Sequence, residues 1–324
     1  MIDALRDVDL RLIRAFTTVA ECGGFMPAQA VLNVGPSRLS TMIAELEQRL
    51  GLRLCRRGRV GFALTESGQE VYRAVQRLNA DLEAFRSSVG SLRGKLIGNL
   101  AIGLVDNIIS NPAQRIAGVI DRFTRRAQDV RITIHMDSPQ ELERKVLDGR
   151  LDIGIGAFHH ALPGLAYHAL FLEEQTLYCG HGHPLFDRAA KDIRQVDILA
   201  ASYAGKGYLE DRRPLNLSAQ AVSFSMEGLA MLVLSGRFIA YLPSHYAAGW
   251  VGKGLMRALM ADTTSYQSLF EGVIRQGHSR TPILQALLED LHNGHAKRLL
   301  QPGTGRSAIN RKPRRQARPS DPEA

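Results

Sequence analysis

From Pro36 to Leu50 the apolar residues recur at helical spacing: Leu39, Met42, Ile43, Leu46 and Leu50 share one face, and Ser37, Arg38, Thr41 and Gln48 occupy the other. Pro36 lacks an amide proton and has a fixed φ, so it suits a first helical position. Leu12, Ile13, Phe16, Val19 and Ala20 make an earlier amphipathic stretch, and 27–34 is long enough for a short helix ending near Gly35. Three short helices in succession, with a tight turn before the third, predict a helix-turn-helix. Arg53-Leu54-Cys55 and Phe62-Ala63-Leu64 then pair as short strands around Arg56, Arg57, Gly58, Arg59 and Gly61, which makes an arginine-tipped wing. Between Thr65 and Gly94 the residues Val71, Val75, Leu78, Leu82, Phe85, Val89 and Leu92 alternate by four and three. Such a heptad seam on one long helix buries itself best against a second helix, so dimerisation is its implied purpose. Packing on the chain's own larger domain is the alternative.

After Gly94 apolar runs alternate with amphipathic helices. Strands are expected at Leu100 to Val105, Val130 to Ile134 and Leu151 to Ile155, with helices from about Pro112 to Arg126 and Pro139 to Asp148. That order is βαβαβ and implies a parallel sheet. A second unit begins near Leu177, with strands at Leu177 to Cys179, Ala221 to Phe224 and Phe238 to Tyr241 and a helix at Met226 to Leu234. The chain returns through Ser268 to Arg275. A last helix, opening at Thr281 and Pro282, turns Ile283, Leu284, Leu287, Leu288 and Leu291 inward on the first unit. Two α/β lobes joined by two crossings leave a cleft between them.

The first segment closely resembles the N-terminal domain of LysR-type transcriptional regulators, on Phe16, Val19, Ala20, Gly24, Phe25, Ala28, Leu32, Ser40, Ile43, Leu46, Glu47, Leu50, Gly51, Leu54, Leu64, Thr65 and Gly68. Where that family carries Val-Ser-Gln-Pro-Ala-Leu-Ser or a close variant, this chain has Val34, Gly35, Pro36, Ser37, Arg38, Leu39 and Ser40, so the family's operator sequence does not transfer. The second half is similar to the LysR effector-binding domain, whose fold is like that of periplasmic binding proteins. The matching landmarks are Leu100 to Gly103, Leu151 to Ile155, His183-Pro184-Leu185 and Gly236 to Pro243. The resemblance implies a winged helix-turn-helix DNA-binding domain at 1–65, a linker and dimerisation helix at 66–94 and a bilobed, periplasmic-binding-protein-like effector-binding domain at 95–300. A basic tail at 301–324 is read as disordered. The implied partners are double-stranded DNA, a small-molecule effector, one or three further copies of the chain and, for an activator, RNA polymerase.

Composition agrees. At 324 residues, 45% of them hydrophobic, the chain is long enough for a small and a larger domain. Of the formal net charge of +9, the tail supplies +4, because its Pro-, Gly- and Ser-containing sequence holds six basic residues against two acidic ones. The wing arginines therefore matter more for DNA than the total does. No apolar stretch is long enough to span a bilayer and no signal-type run opens the chain, so a cytoplasmic protein is expected. Cys22, Cys55 and Cys179 are odd in number and far apart, which argues for reduced thiols.

Candidate chemistry follows from these elements. Pro36, Ser37, Arg38 and Thr41 are placed to meet base edges, and Arg56, Arg57 and Arg59 to meet phosphates. Ligands of open α/β sheets sit beyond the carboxyl ends of the strands, which nominates Asp106, Asn107, Ser138, Ser202, Tyr203 and Ser223 for the effector. Ser138-Pro139-Gln140-Glu141 also reads as a capping box. Asp106 disfavours a carboxylate effector unless a cation such as Lys206 offsets it. Cys179, His181 and His183 alternate as metal ligands can, but no fourth ligand accompanies them, and the adjacent His159 and His160 are expected in an exposed loop. No cofactor is implied. With no nucleophile elbow, phosphate loop or His-Glu-x-x-His, an enzyme is not expected. A solute-binding or metal-binding protein of the same bilobed fold is the competing reading.

Overall fold

Residues 6–58, 61–92, 95–208, 213–277 and 281–299 are described by the computed structural model, and the basic tail lies outside them. Helices α1 (Asp7–Glu21), α2 (Phe25–Leu32) and α3 (Pro36–Leu50) enclose Leu12, Phe16, Val19, Ala28, Leu39, Ile43 and Leu46. The third starts on its proline and stops at Gly51, whose φ of 68° is the left-handed value that glycine tolerates. Buried Asp9 joins two helix ends, accepting the Arg6 amide at 2.9 Å and Arg49 Nη1 at 3.0 Å. The wing is the antiparallel pair β1 (Cys55–Gly58) and β2 (Gly61–Leu64), with Cys55 opposite Leu64. Its first strand starts later than expected, since Glu47 Oε1 on α3 accepts the Leu54 and Cys55 amides at 2.7 and 3.1 Å and holds the chain at its entry. Phe25 and Phe62 meet edge to face at 5.9 Å and fasten the wing to α2.

Helix α4 (Glu66–Ser91) is capped by Thr65, whose Oγ1 accepts the Gly68 amide at 2.9 Å and donates to the Arg53 carbonyl at 2.5 Å. Gly68 has to be glycine, because a Cβ there would overlap the Leu54 carbonyl oxygen. The heptad seam divides along its length. Val71 packs on the core of the N-terminal head and Val75 is buried, so these two do not present a free dimer surface. Leu78 is half-buried, while Leu82, Phe85, Val89 and Leu92 stay exposed, Phe85 by 65% and Leu92 by 87%. Another face of α4 lies on the larger domain through Asn99 Nδ2 to Glu83 Oε2 at 3.2 Å and Arg275 Nη2 to Asp81 Oδ1 at 2.6 Å.

In the larger domain β3 (Ile97–Leu104) runs parallel between β4 (Asp129–Met136) and β5 (Ile153–Ala157), with α5 (Ile116–Arg126) and α6 (Pro139–Leu147) as crossovers. Strand β6 (Leu165–Gly180) then spans both lobes. It is far longer than expected because Glu173, Glu174, Gln175 and Thr176 interrupt its apolar pattern. The second lobe adds α7 (Gln195–Ala200), β7 (Tyr203–Lys206), β8 (Ala219–Ser223), α8 (Met226–Leu234), β9 (Ile239–Pro243), α9 (Ser244–Gly252), β10 (Met256–Ala258) and α10 (Ala261–Thr264). Strand β11 (Tyr266–Arg275) returns antiparallel to β6 along its whole length, with a register shift at Phe270 and Glu271. The described strands of both lobes thus form one sheet in the order β4-β3-β5-β11-β6-β9-β7-β8, with β10 on β6. Helix α11 (Pro282–Leu299) buries Ile283, Leu284, Leu287 and Leu291 in the first lobe.

Glu47→Ala leaves the Leu54 and Cys55 amides without their carboxylate, so local opening of the wing is expected to become easier by about 1–3 kcal/mol. Amide exchange at Leu54 and Cys55 measures it; unchanged protection would show that another group holds the wing.

Candidate nucleic-acid interface and interlobe cleft

On α3 the residues Pro36, Ser37, Arg38, Thr41 and Gln48 are exposed, while Leu39, Ile43 and Leu46 on the opposite face are buried. Thr41 Oγ1 donates to the Ser37 carbonyl at 3.0 Å, which orients its hydroxyl and methyl along the helix. The residue before the helix, Gly35, offers no side-chain cap, so the first-turn amides remain available to an external acceptor such as a phosphate. Arg56 is exposed on the wing, Arg57 lies in β1 opposite Phe62, and Arg59 is outside the described residues.

The two lobes meet in a cavity of about 30 Å³ lined by Asp106, His159, Glu173, Gln175, Lys206 and Tyr208 among others. That is room for little more than one water, so the lobes are drawn together. A hydrogen bond crosses the gap: Asp106 Oδ2, after β3, accepts the Met226 amide at the start of α8 at 2.6 Å. Burial pushes the Asp106 carboxyl above the usual carboxylate range, a shift opposed by that amide and by Lys206. A second clasp centres on buried Glu173. Its Oε1 accepts Asn111 Nδ2 at 3.2 Å and pairs with His245 Nε2 at 2.8 Å, and its Oε2 accepts Gln175 Nε2 at 2.6 Å. His245 Nδ1 in turn meets Ser110 Oγ at 2.9 Å, joining α9 to the first lobe. Ser110 Oγ also bonds the Asn107 carbonyl at 3.2 Å, so this hydroxyl, imidazole and carboxylate act as a brace. A wider mouth, lined by Ser138, Lys206, Tyr208, Arg213 and Phe224, shares Lys206 and Tyr208 with the cavity.

The nominated effector residues separate on this geometry. Asp106 lines the cavity, and neighbouring Asn107 has a buried Nδ2 with no hydrogen-bond partner among the described residues. Ser138 caps α6 by accepting the Glu141 amide and also lines the mouth. Tyr203 does not face the cleft: it is buried in the second lobe's core, its ring against Tyr241 and under Arg213, because the residue that opens β7 points into the sheet's packed side. Ser202 is exposed before that strand and its carbonyl accepts the Ile239 amide, while Ser223 bonds Ser225 within a turn, so neither lines the cavity or its mouth. His159 is half-buried and lines the cavity rather than lying in an exposed loop. Sequence reasoning missed Glu173, Gln175 and His245. The available signal was Glu173 and Gln175 two apart, which on a strand share one face.

Cys179 is buried in β6, and burial pushes its thiol up to about 11. His181 packs against Phe186 and His183 Nδ1 accepts the Leu185 amide at 3.2 Å. Among the described residues no group of three or more His, Cys, Asp or Glu side chains converges as a metal site.

Comparison with known proteins now places the chain. Residues 10–69 match the family model described as bacterial regulatory helix-turn-helix protein, lysR family, and 93–296 match the LysR substrate binding domain. The chain belongs to the LysR family of transcriptional regulators, with its helix-turn-helix followed by an effector-binding domain. It is 42% identical over 287 residues to the HTH-type transcriptional activator BauR of Pseudomonas aeruginosa, covering 87% of this chain and 94% of that one. It is 27% identical to the SDS degradation transcriptional activation protein of a Pseudomonas species, over 86% and 94% of the two chains. Its fold is that of full-length OxyR from Pseudomonas aeruginosa (TM-score 0.61, 18% identity, 89% and 95% covered). Full-length CbnR complexed with its target DNA gives a TM-score of 0.58 at 15% identity, with 88% and 99% covered.

Since the folded pKa of Asp106 lies above the unfolded one, the ionised carboxyl costs stability at neutral pH, and that cost is relieved as the pH falls through the folded value. Asp106→Asn keeps an acceptor for Met226 without the charge and is expected to hold or raise the unfolding midpoint. Asp106→Ala strands the amide and is expected to lose about 1–2 kcal/mol. Urea unfolding of both at neutral pH measures the difference, and a larger loss for Asn than for Ala would contradict the clasp.

Proposed function

We propose that the chain is a cytoplasmic, non-enzymatic regulator that binds duplex DNA as a dimer or a dimer of dimers and activates transcription in response to a small molecule held between the lobes. The observation that carries the reading is the exposed Ser37, Arg38 and Thr41 face of α3, on a helix whose other face forms the head's core. In this reading those three side chains choose the sequence, and Arg56, Arg57 and Arg59 grip the backbone. The exposed Leu82, Phe85, Val89 and Leu92 pair with another copy, with Leu78 at the edge of that contact. Activation, rather than repression, is supported by the name of the 42% identical relative, and it implies contact with RNA polymerase.

The effector's place is the cleft between Asp106, Glu173, Gln175 and Lys206, with Asn107 and the Ser138 helix start beside it. A molecule larger than the closed cavity exchanges the Asp106 to Met226 bond for its own contacts, and changes the lobe angle. Whatever binds one lobe arrangement better shifts the equilibrium toward it, and α4 carries the bias to the heads. No metal or cofactor is needed for this cycle.

Fluorescence anisotropy on the DNA upstream of the chain's own gene tests the reading. Arg38→Ala is expected to weaken binding by about 1–3 kcal/mol and to relax sequence preference, whereas Arg56→Ala is expected to weaken all sequences alike and to lower the salt slope by about one. If Arg38→Ala left both affinity and preference unchanged, α3 would not be the reading helix.

A further inference from the structure

Helix α6 reaches from the cleft to the head of the same chain. Its first residues stand at the mouth: Pro139 lines the interlobe cavity, and Ser138, which caps the helix by accepting the Glu141 amide, lines the wider opening. Nine residues at about 1.5 Å each carry the chain roughly 14 Å to the far end. There the turn at 148–151 folds back on the helix, the Arg150 and Leu151 amides both donating to the Lys145 carbonyl at 2.8 and 3.1 Å. Side chains tie the same turn to the start of the helix. Glu141 accepts Arg144 Nε at 2.9 Å and Arg150 Nη2 at 3.4 Å, and Lys145 Nζ donates to Asp137, just ahead of Ser138, at 2.8 and 2.7 Å. With the turn bonded to both ends of the helix, a displacement of one end is passed to the other.

The far end of this unit is pressed against the head and its linker. Gly149, at a φ of 74°, lies so near α4 that a Cβ there would stand 2.9 Å from the Ala80 Cβ and 3.5 Å from the Gln76 carbonyl oxygen. A contact with no spare room passes a displacement on rather than absorbing it. Arg150 hydrogen-bonds the Tyr72 hydroxyl, which Gln76 also bonds, and Gln76 Nε2 donates to Glu21 Oε1, at the end of α1, at 3.2 Å. The Tyr72 ring packs on the core of the head. One guanidinium therefore bonds a carboxylate of α6 and a side chain seated in the head. Two further bonds between α4 and the larger domain, Asn99 to Glu83 and Arg275 to Asp81, involve neither α6 nor its turn.

We infer that α6 is the lever of the response, resting on the reading that the effector is held between the lobes: movement of the Ser138 end by an occupant of the mouth drives the Gly149 and Arg150 turn against Tyr72, Gln76 and Ala80, and so tilts the head of the same chain. Arg150 is the positioning residue of this coupling. The lever acts within one chain and is separate from the pairing of the exposed end of α4.

A double-mutant cycle on the duplex affinity of the full chain, read by fluorescence anisotropy, tests the inference without an effector. Asp106→Ala removes the interlobe bond to Met226 and serves as the opening signal. It is expected to change affinity by at least about threefold in the parent, and by less than about 1.5-fold where the lever is cut by Arg150→Ala or by Tyr72→Phe. Arg150→Ala decides if it folds, and Tyr72→Phe, which removes only a hydroxyl, decides if it does not. Asn99→Ala breaks a bond of α4 outside the lever and is expected to leave the effect of Asp106→Ala in place, which separates the lever from general loosening of the linker. An effect that persists in the deciding variant, or that Asn99→Ala also abolishes, would overturn the lever alone. Asp106→Ala without effect in the parent would overturn the lever together with the cleft's role, and a parent that binds no duplex would overturn the regulator reading and the lever with it.

Discussion

One helix has to satisfy three neighbours, and the rest of the architecture depends on how α4 divides its surface. Its first turns cannot leave the head, because Gly68 presses on the Leu54 backbone and Val71 completes the head's core. Its middle is held to the effector-binding domain by Asp81 and Glu83. Among the described residues its distal apolar row, from Leu82 to Leu92, is left exposed. Apolar surface in such a row is stabilised by roughly 25 cal/mol per Å² when removed from water, and a second copy of the same row is the surface that matches it in spacing. The proposed dimerisation thus uses the part of the helix that the chain's own packing leaves unoccupied.

That division explains why a heptad alone was an incomplete guide. The repeat from Val71 to Leu92 is unbroken in sequence, yet the structure assigns its first members to the head and its last to the exterior. The α3 pattern was read correctly to the residue, since a proline start, a glycine stop and a periodic face are all local signals. The parallel βαβαβ order was legible for the same reason, as was α8. Strand β6 was not, because Glu173 and Gln175 are buried polar residues satisfied from elsewhere in the chain, Glu173 by Asn111 and His245 and Gln175 by Lys206 as well as by Glu173 itself. The same cause hid the cleft. Ser223 sits on an expected strand and Tyr203 opens a strand that the pattern did not predict, but which side of a strand faces the other lobe is decided by tertiary packing.

Polar bonds cross between the lobes at the cleft, and this suits a sensor. An apolar seal would resist opening in proportion to its area. Asp106 on the Met226 amide and His245 on Glu173 are instead exchangeable bonds, which a polar ligand can replace one for one. The pairing of β6 with β11, broken in register only at Phe270 and Glu271, is the crossing about which the proposed change of lobe angle would turn. The linker helix is bonded to Arg275 at the end of that same strand, which is where the proposed cycle needs it.

The central claim is that the exposed end of α4 joins two chains and so makes paired DNA heads. Sedimentation equilibrium of the full chain and of a Phe85→Glu, Leu92→Glu double variant, each with and without duplex, tests it most directly. The account predicts a parent of two or four chain masses and a folded variant of one chain mass that no longer binds duplex as a pair. A parent that remains a single chain at all concentrations, or a variant with the parent's mass, would contradict it.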